Sequence, residues 1–120
     1  MIKSISLLVR KDGMTHAQFM KHWVDVHAPL ALKVPGLRRY VQSHIFDERR
    51  RPDIPAIGLQ VDGIAETWYD DRDAMTRAAA TPEMKALHAD GALFIGRIQS
   101  FLVGRRSSSR HKLSVRISRH

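Results

Sequence analysis

Residues 2–10 alternate, with Lys3, Ile5, Leu7 and Val9 on one parity and Ile2, Ser4, Ser6 and Leu8 on the other. A two-residue period is that of a half-buried strand, and Asp12-Gly13 ends it. Thr15-His16-Ala17-Gln18 has the form of a capping box, in which a hydroxyl and an amide each satisfy a free backbone donor at a helix start. The helix it opens carries Phe19, Trp23, Val26, His27 and Leu30 at helical spacing. Pro29 is expected to end the regular helix near residues 26–28.

Val34-Pro35-Gly36-Leu37 reads as a turn. A second strand follows over 40–46, with Val41, Ser43 and Ile45 on one face and Tyr40, Gln42, His44 and Phe46 on the other. Residues 47–55 are a charged loop with two prolines, and 59–69 a third strand. Asp70-Asp71 caps a helix over 71–80. Thr81-Pro82-Glu83 restarts a short one, with proline at its first position, running to about Asp90 and ended by Gly91. Residues 97–103 form the last strand.

The order β-α-β-β-α-β defines an α+β fold of the ferredoxin-like kind: a four-stranded antiparallel sheet with two helices on one face. The other face is then bare and needs a cover. A second copy related by two-fold symmetry supplies it, so a homodimer is expected, its two sheets enclosing a central space. If Val41 and Ile45 pack on the helices, Tyr40, Gln42 and His44 face that space.

The 120 residues make one domain, with 43% hydrophobic and 27% charged residues in globular proportion. The absence of cysteine excludes disulfides, a thiol nucleophile and thiolate-ligated metals. No apolar run approaches the ~18–20 residues of a membrane span, and the alternating N-terminus does not resemble a signal peptide, so a cytoplasmic protein with no membrane partner is expected. The net charge of +8 is concentrated at the end. Residues 105–120 hold Arg105, Arg106, Arg110, Lys112, Arg116 and Arg119 and no acid. Residues 1–104 are therefore read as the domain, and 105–120 as a serine- and arginine-rich tail. That tail is either a flexible end or, through the alternation of Leu113, Val115 and Ile117, an edge-strand arm.

His22 and His27 are five residues apart, about 140° around an α-helix, so they do not form the i, i+4 pair of a helical zinc site. No metal is expected, and His16 and His22 read as solvated. His27 differs, lying on the Phe19–Trp23 side at the expected helix end. There the helix dipole favours a charged ring and brings its proton equilibrium near neutrality. It reads either as a proton carrier or as a C-terminal cap. Tyr40 can donate to a developing oxyanion or relay a proton, or serve as an interface aromatic. Ser4 and Ser6 offer small hydroxyls.

Three motifs carry a resemblance: Trp23-x-x-x-His27-Ala-Pro-Leu30, Pro35-Gly36-Leu37-Arg38-Arg39-Tyr40 and Phe94-Ile95-Gly96. Together they resemble the EthD-like family of dimeric α/β-barrel proteins over about residues 1–104. Residues 62–98 look especially like the methylmuconolactone methylisomerases. The resemblance implies catalytic roles for His27 and Tyr40, and substrate contacts from Thr67, Gln42, His44 and Trp23. Thr67 stands where the methylisomerases carry a pocket cysteine, which argues against any step that needs a thiol.

The expected function is therefore that of an enzyme using no metal or organic cofactor. It would move a proton on a small lactone, phenolic or quinol-type compound, as an isomerase, lyase or cofactor-free monooxygenase of aromatic or ether catabolism. The alternative is an accessory protein that binds a small hydrophobic intermediate without turning it over. Nucleic acid is not expected as a partner, because residues 61–68 carry two acids and lack the stacking motif of RNA-recognition modules.

Overall fold

The computed structural model describes residues 1–104, 107–109 and 114–116. Strands β1 (Ile2–Arg10), β2 (Arg39–His44), β3 (Gly63–Tyr69) and β4 (Ile95–Val103) form one antiparallel sheet in the order β2-β3-β1-β4. The split pairing around the two helical segments is the ferredoxin-like arrangement. Two short strands, β5 (Ser107–Ser109) and β6 (Ser114–Arg116), pair in a separate antiparallel ladder. The remainder of the tail expectation, including Leu113 and Ile117, lies outside the described residues.

Helix α1 (His16–His22) starts on the expected capping box, with Gln18 N–H donating to the Thr15 hydroxyl and Thr15 N–H donating to the Gln18 side chain. The helix does not stop at Pro29. A π-turn, Trp23–His27, carries it into α2 (Ala28–Ala31), the Ala28 N–H donating to the Trp23 carbonyl. Proline lacks the N–H for an i→i−4 bond and its ring crowds the carbonyl four residues back. Widening the turn to i→i+5 bonding lets the chain pass that point. The wider turn also moves Val26 off the buried face, leaving it 44% exposed.

Helix α3 (Arg72–Ala79) is capped by Asp71 and α4 (Pro82–Phe94) by Thr81, whose side chains accept from Ala74 N–H and Met84 N–H. Gly91 does not end α4, which runs three residues further with Gly91 buried inside it. Strand β3 begins at Gly63 rather than Leu59, so the preceding loop is long. Its Phe46 and Ile57 side chains are 96% and 90% exposed. Gly96 sits at a register shift between β1 and β4, where a Cβ would lie 2.7 Å from the Arg10 carbonyl oxygen.

The register settles which face is which. Tyr40 lies opposite Thr67 and Thr67 opposite Ser4; Gln42, Ala65 and Ser6 align, as do His44, Gly63 and Leu8. Leu8 packs with Phe19, Trp23 and Phe94, and Ile2 packs against Val34, Tyr69 and Met84 beneath α3 and α4. This parity is therefore the helix side. The expectation that Tyr40, Gln42 and His44 face a space between two sheets is overturned. The helix offers this parity a flat indole and the Trp23 carbonyl, which accepts from Gln42 as well as from Ala28 N–H; the two suit His44 and Gln42 better than Val41. Among the described residues no helix covers the opposite face, with Ile5, Leu7, Val41, Ile64, Trp68 and Phe101. On it Lys3 and Glu66 form an ion pair at 3.3 Å.

Asp62 pins the end of the long loop. It is 4% exposed and accepts from the Arg10 N–H, the Arg10 guanidinium and the His16 ring, each at 2.7 Å. Burial pushes its carboxyl up, but these donors together outweigh burial and hold it below the ordinary carboxylate range.

Candidate active site

The π-turn brings together two histidines that α-helical geometry would separate. Its i→i+5 register places His22 and His27 close to one turn apart, and both reach Asp90 on α4. His22 Nε2 donates to Asp90 Oδ1 at 2.9 Å, and His27 Nδ1 donates to Asp90 Oδ2 at 2.8 Å. Phe94 walls the pair, with ring centroids 4.6 Å from His22 and 5.0 Å from His27. Among the described residues both imidazoles are engaged with one carboxylate, and no group of three or more histidine and acidic side chains is arranged to hold a metal.

His27 and Asp90 are buried. With Nδ1–H given to Asp90, the neutral ring leaves its lone pair on Nε2, which has no hydrogen-bond partner among the described residues. The helix continues to Ala31, so His27 does not sit at a helix end as expected. Burial, acting against Asp90, sets the balance and holds its pKa below the ordinary 6.5.

Tyr40 occupies the neighbouring part of the sheet, on β2. The Gln42 amide NH₂ donates to the Tyr40 hydroxyl and to the Trp23 carbonyl, both at 2.9 Å, while the Gln42 amide oxygen accepts from His44 Nε2 at 3.0 Å. The amide is thereby fixed in one orientation. Because it donates to the phenol oxygen, the Tyr40 O–H remains free to donate elsewhere. Burial raises the phenol's pKa, with Gln42 and Trp23 acting in the opposite direction, so Tyr40 is a proton-bearing donor near neutrality. His44 stacks on the Trp23 ring with centroids 4.8 Å apart, and burial lowers its pKa. Among the described residues the buried Trp23 indole N–H has no hydrogen-bond partner.

Of the residues picked out from sequence, Trp23, Gln42, His44 and Tyr40 therefore form one connected set. Gln42 ties that set to the first carbonyl of the π-turn, the turn that His27 closes. Thr67 shares the Tyr40 face and is half-buried beside Tyr69, while Glu66 lies on the opposite face. Asp90 was missed. A signal for it existed, because an acid in the last turns of a helix faces the negative end of the dipole and needs cationic or N–H partners. His22, read as solvated, is also part of the site.

Comparison with known proteins gives a consistent pattern. The family described as the EthD domain matches residues 11–98. A 4-carboxymethyl-4-methylbutenolide mutase from Pseudomonas reinekei is 28% identical over 103 residues, covering 85% of this chain and 95% of the relative. Among solved structures, an ethyl tert-butyl ether degradation (EthD) family protein from Bacillus halodurans superposes with TM-score 0.68 at 26% identity, covering 88% of this chain and 99% of the other. SnoaB, a cofactor-independent oxygenase from Streptomyces nogalater, superposes with TM-score 0.59 at 14% identity, covering 91% and 96%, a likeness of fold.

Proposed function

The chain belongs to the EthD domain family, and from that premise we propose that it is an enzyme that moves a proton on a small oxygenated substrate without metal or organic cofactor. The observation that carries this reading is the buried His27–Asp90 pair, with Nδ1 fixed as donor and Nε2 uncommitted. Nε2 takes a proton from a carbon beside a carbonyl, whose oxygen receives the electron pair, or from the hydroxyl of a phenol or quinol, whose oxygen keeps it. The Tyr40 O–H donates to that oxygen. Such donors, pre-set where charge develops, stabilise the transition state. Return of the proton at a different carbon is isomerisation, loss of a neighbouring group is elimination, and reaction of the carbanion with O2 is oxygenation. Lactone, phenol and quinol substrates all fit this first step, and Thr67, Trp23 and His44 are the proposed contacts. The mutase relative, with its lactone named, favours the isomerase form.

The test is exchange of carbon-bound hydrogen for deuterium in D2O, followed by proton NMR with 4-carboxymethyl-4-methylbutenolide as probe. Because the folded His27 titrates below 6.5, kcat/KM should be level above about pH 6.5 and fall on the acid side as the base is protonated. No exchange from any of a butenolide, a phenol and a quinol, each shown to bind, would instead support the accessory-protein reading, which the missing cysteine favours.

We also place a second copy of the chain over the open sheet face, since an apolar face of this extent calls for a cover. Sedimentation equilibrium should give twice the chain mass, and a single-chain mass at micromolar concentration would remove the dimer.

A further inference from the structure

The proposed base shares its carboxylate with a second imidazole, and the two rings are not equivalent. The His22 side chain is 25% exposed and the His27 side chain 11%. One carboxylate between two imidazoles balances one positive charge. Burial penalises the charged form more for the deeper ring. We infer that His22 carries the proton that neutralises Asp90, so that His27 stays neutral with its Nε2 lone pair available. His22 is then a positioning residue that tunes the base without touching substrate. The inference rests on the reading of His27 as that base.

The charged neighbours agree with this assignment. On the same helix, Lys21 and Asp25 are spent on each other at 2.9 Å on the exposed side. From α4, Asp90 favours the charged His27 ring and His88 disfavours it, as does His22 from α1. From the sheet, Tyr40 and His44 are bonded to Gln42 near Trp23. With His22 neutral, the Asp90 charge would act on His27 alone and favour a proton there, against the burial that holds its pKa down. The π-turn is what makes the sharing possible, because it brings both rings to the carboxylate.

Ring-nitrogen NMR titration of the full chain tests this without any substrate. His22→Gln keeps an N–H donor for Asp90 Oδ1 and removes the charge. Its His27 midpoint should rise by about one pH unit, and the acid limb of butenolide exchange should move with it. His22→Arg restores a permanent cation and should leave the midpoint at the wild-type value. An unchanged midpoint in His22→Gln, or an equal rise in both variants, overturns the inference. If circular dichroism shows that His22→Gln does not fold, His22→Arg decides: a wild-type midpoint supports the inference and a raised one overturns it. A shifted midpoint together with exchange that survives in His27→Gln supports the coupling and removes only the base. An unchanged midpoint with exchange lost in His27→Gln removes only the coupling.

Discussion

A His27→Gln chain should fold like the parent and lose about 10²–10⁴-fold of its butenolide exchange rate, the share that a positioned general base supplies. Glutamine can still donate an N–H to Asp90 Oδ2, so the buried carboxylate keeps its partner and the cost in stability stays small. What disappears is the lone pair on Nε2. The loss should appear in kcat as well as kcat/KM, because the missing interaction belongs to the transition state. Exchange within ten-fold of wild type, with unaltered far-UV dichroism, would exclude His27 as the base.

Phe94→Ala should remove about 3–5 kcal/mol of stability, the range for deleting a fully buried aromatic ring. Phe94 has no exposed surface, and its ring lies 5.1 Å from Phe19, 4.6 Å from His22 and 5.0 Å from His27. A domain of this size has about 5–15 kcal/mol in total, so the variant sits near the edge of folding. Urea titration at neutral pH should show a lower midpoint at unchanged slope. A loss under about 1 kcal/mol would mean that Leu8, Phe19 and Trp23 close over the gap, and that Phe94 is not the wall of the histidine pair.

The element order was legible because each element announces itself locally. The alternation of residues 2–10, the Thr15–Gln18 box and the Asp71 and Thr81 caps all recur in the structure. Boundaries that depend on tertiary partners were not legible. Leu59 and Val61 read as strand but find no ladder to join. Gly91 ends a helix only where its backbone turns left-handed, and positive φ occurs instead at Gly13, Gly36 and Gly58. The facing of β2 was misjudged because alternation is symmetric: it separates Tyr40 from Val41 but does not say which side meets a helix. The site was half legible. His27 and Tyr40 stood out by residue type and motif. His22 and Asp90 did not, because the spacing of the histidines was judged on α-helical geometry, and Pro29 was the only hint that the turn is wider.

Between Trp23 and His27 the number of residues matters more than what they are. Val24, Asp25 and Val26 point outward, and many side chains can replace them. Removing any one of them would close the wide turn into an ordinary one and leave the two imidazoles four residues apart, still on one face of a regular helix. A single-position gap at this place, seen when relatives are lined up, would therefore mark proteins that carry the same doubled imidazole on an unwidened helix.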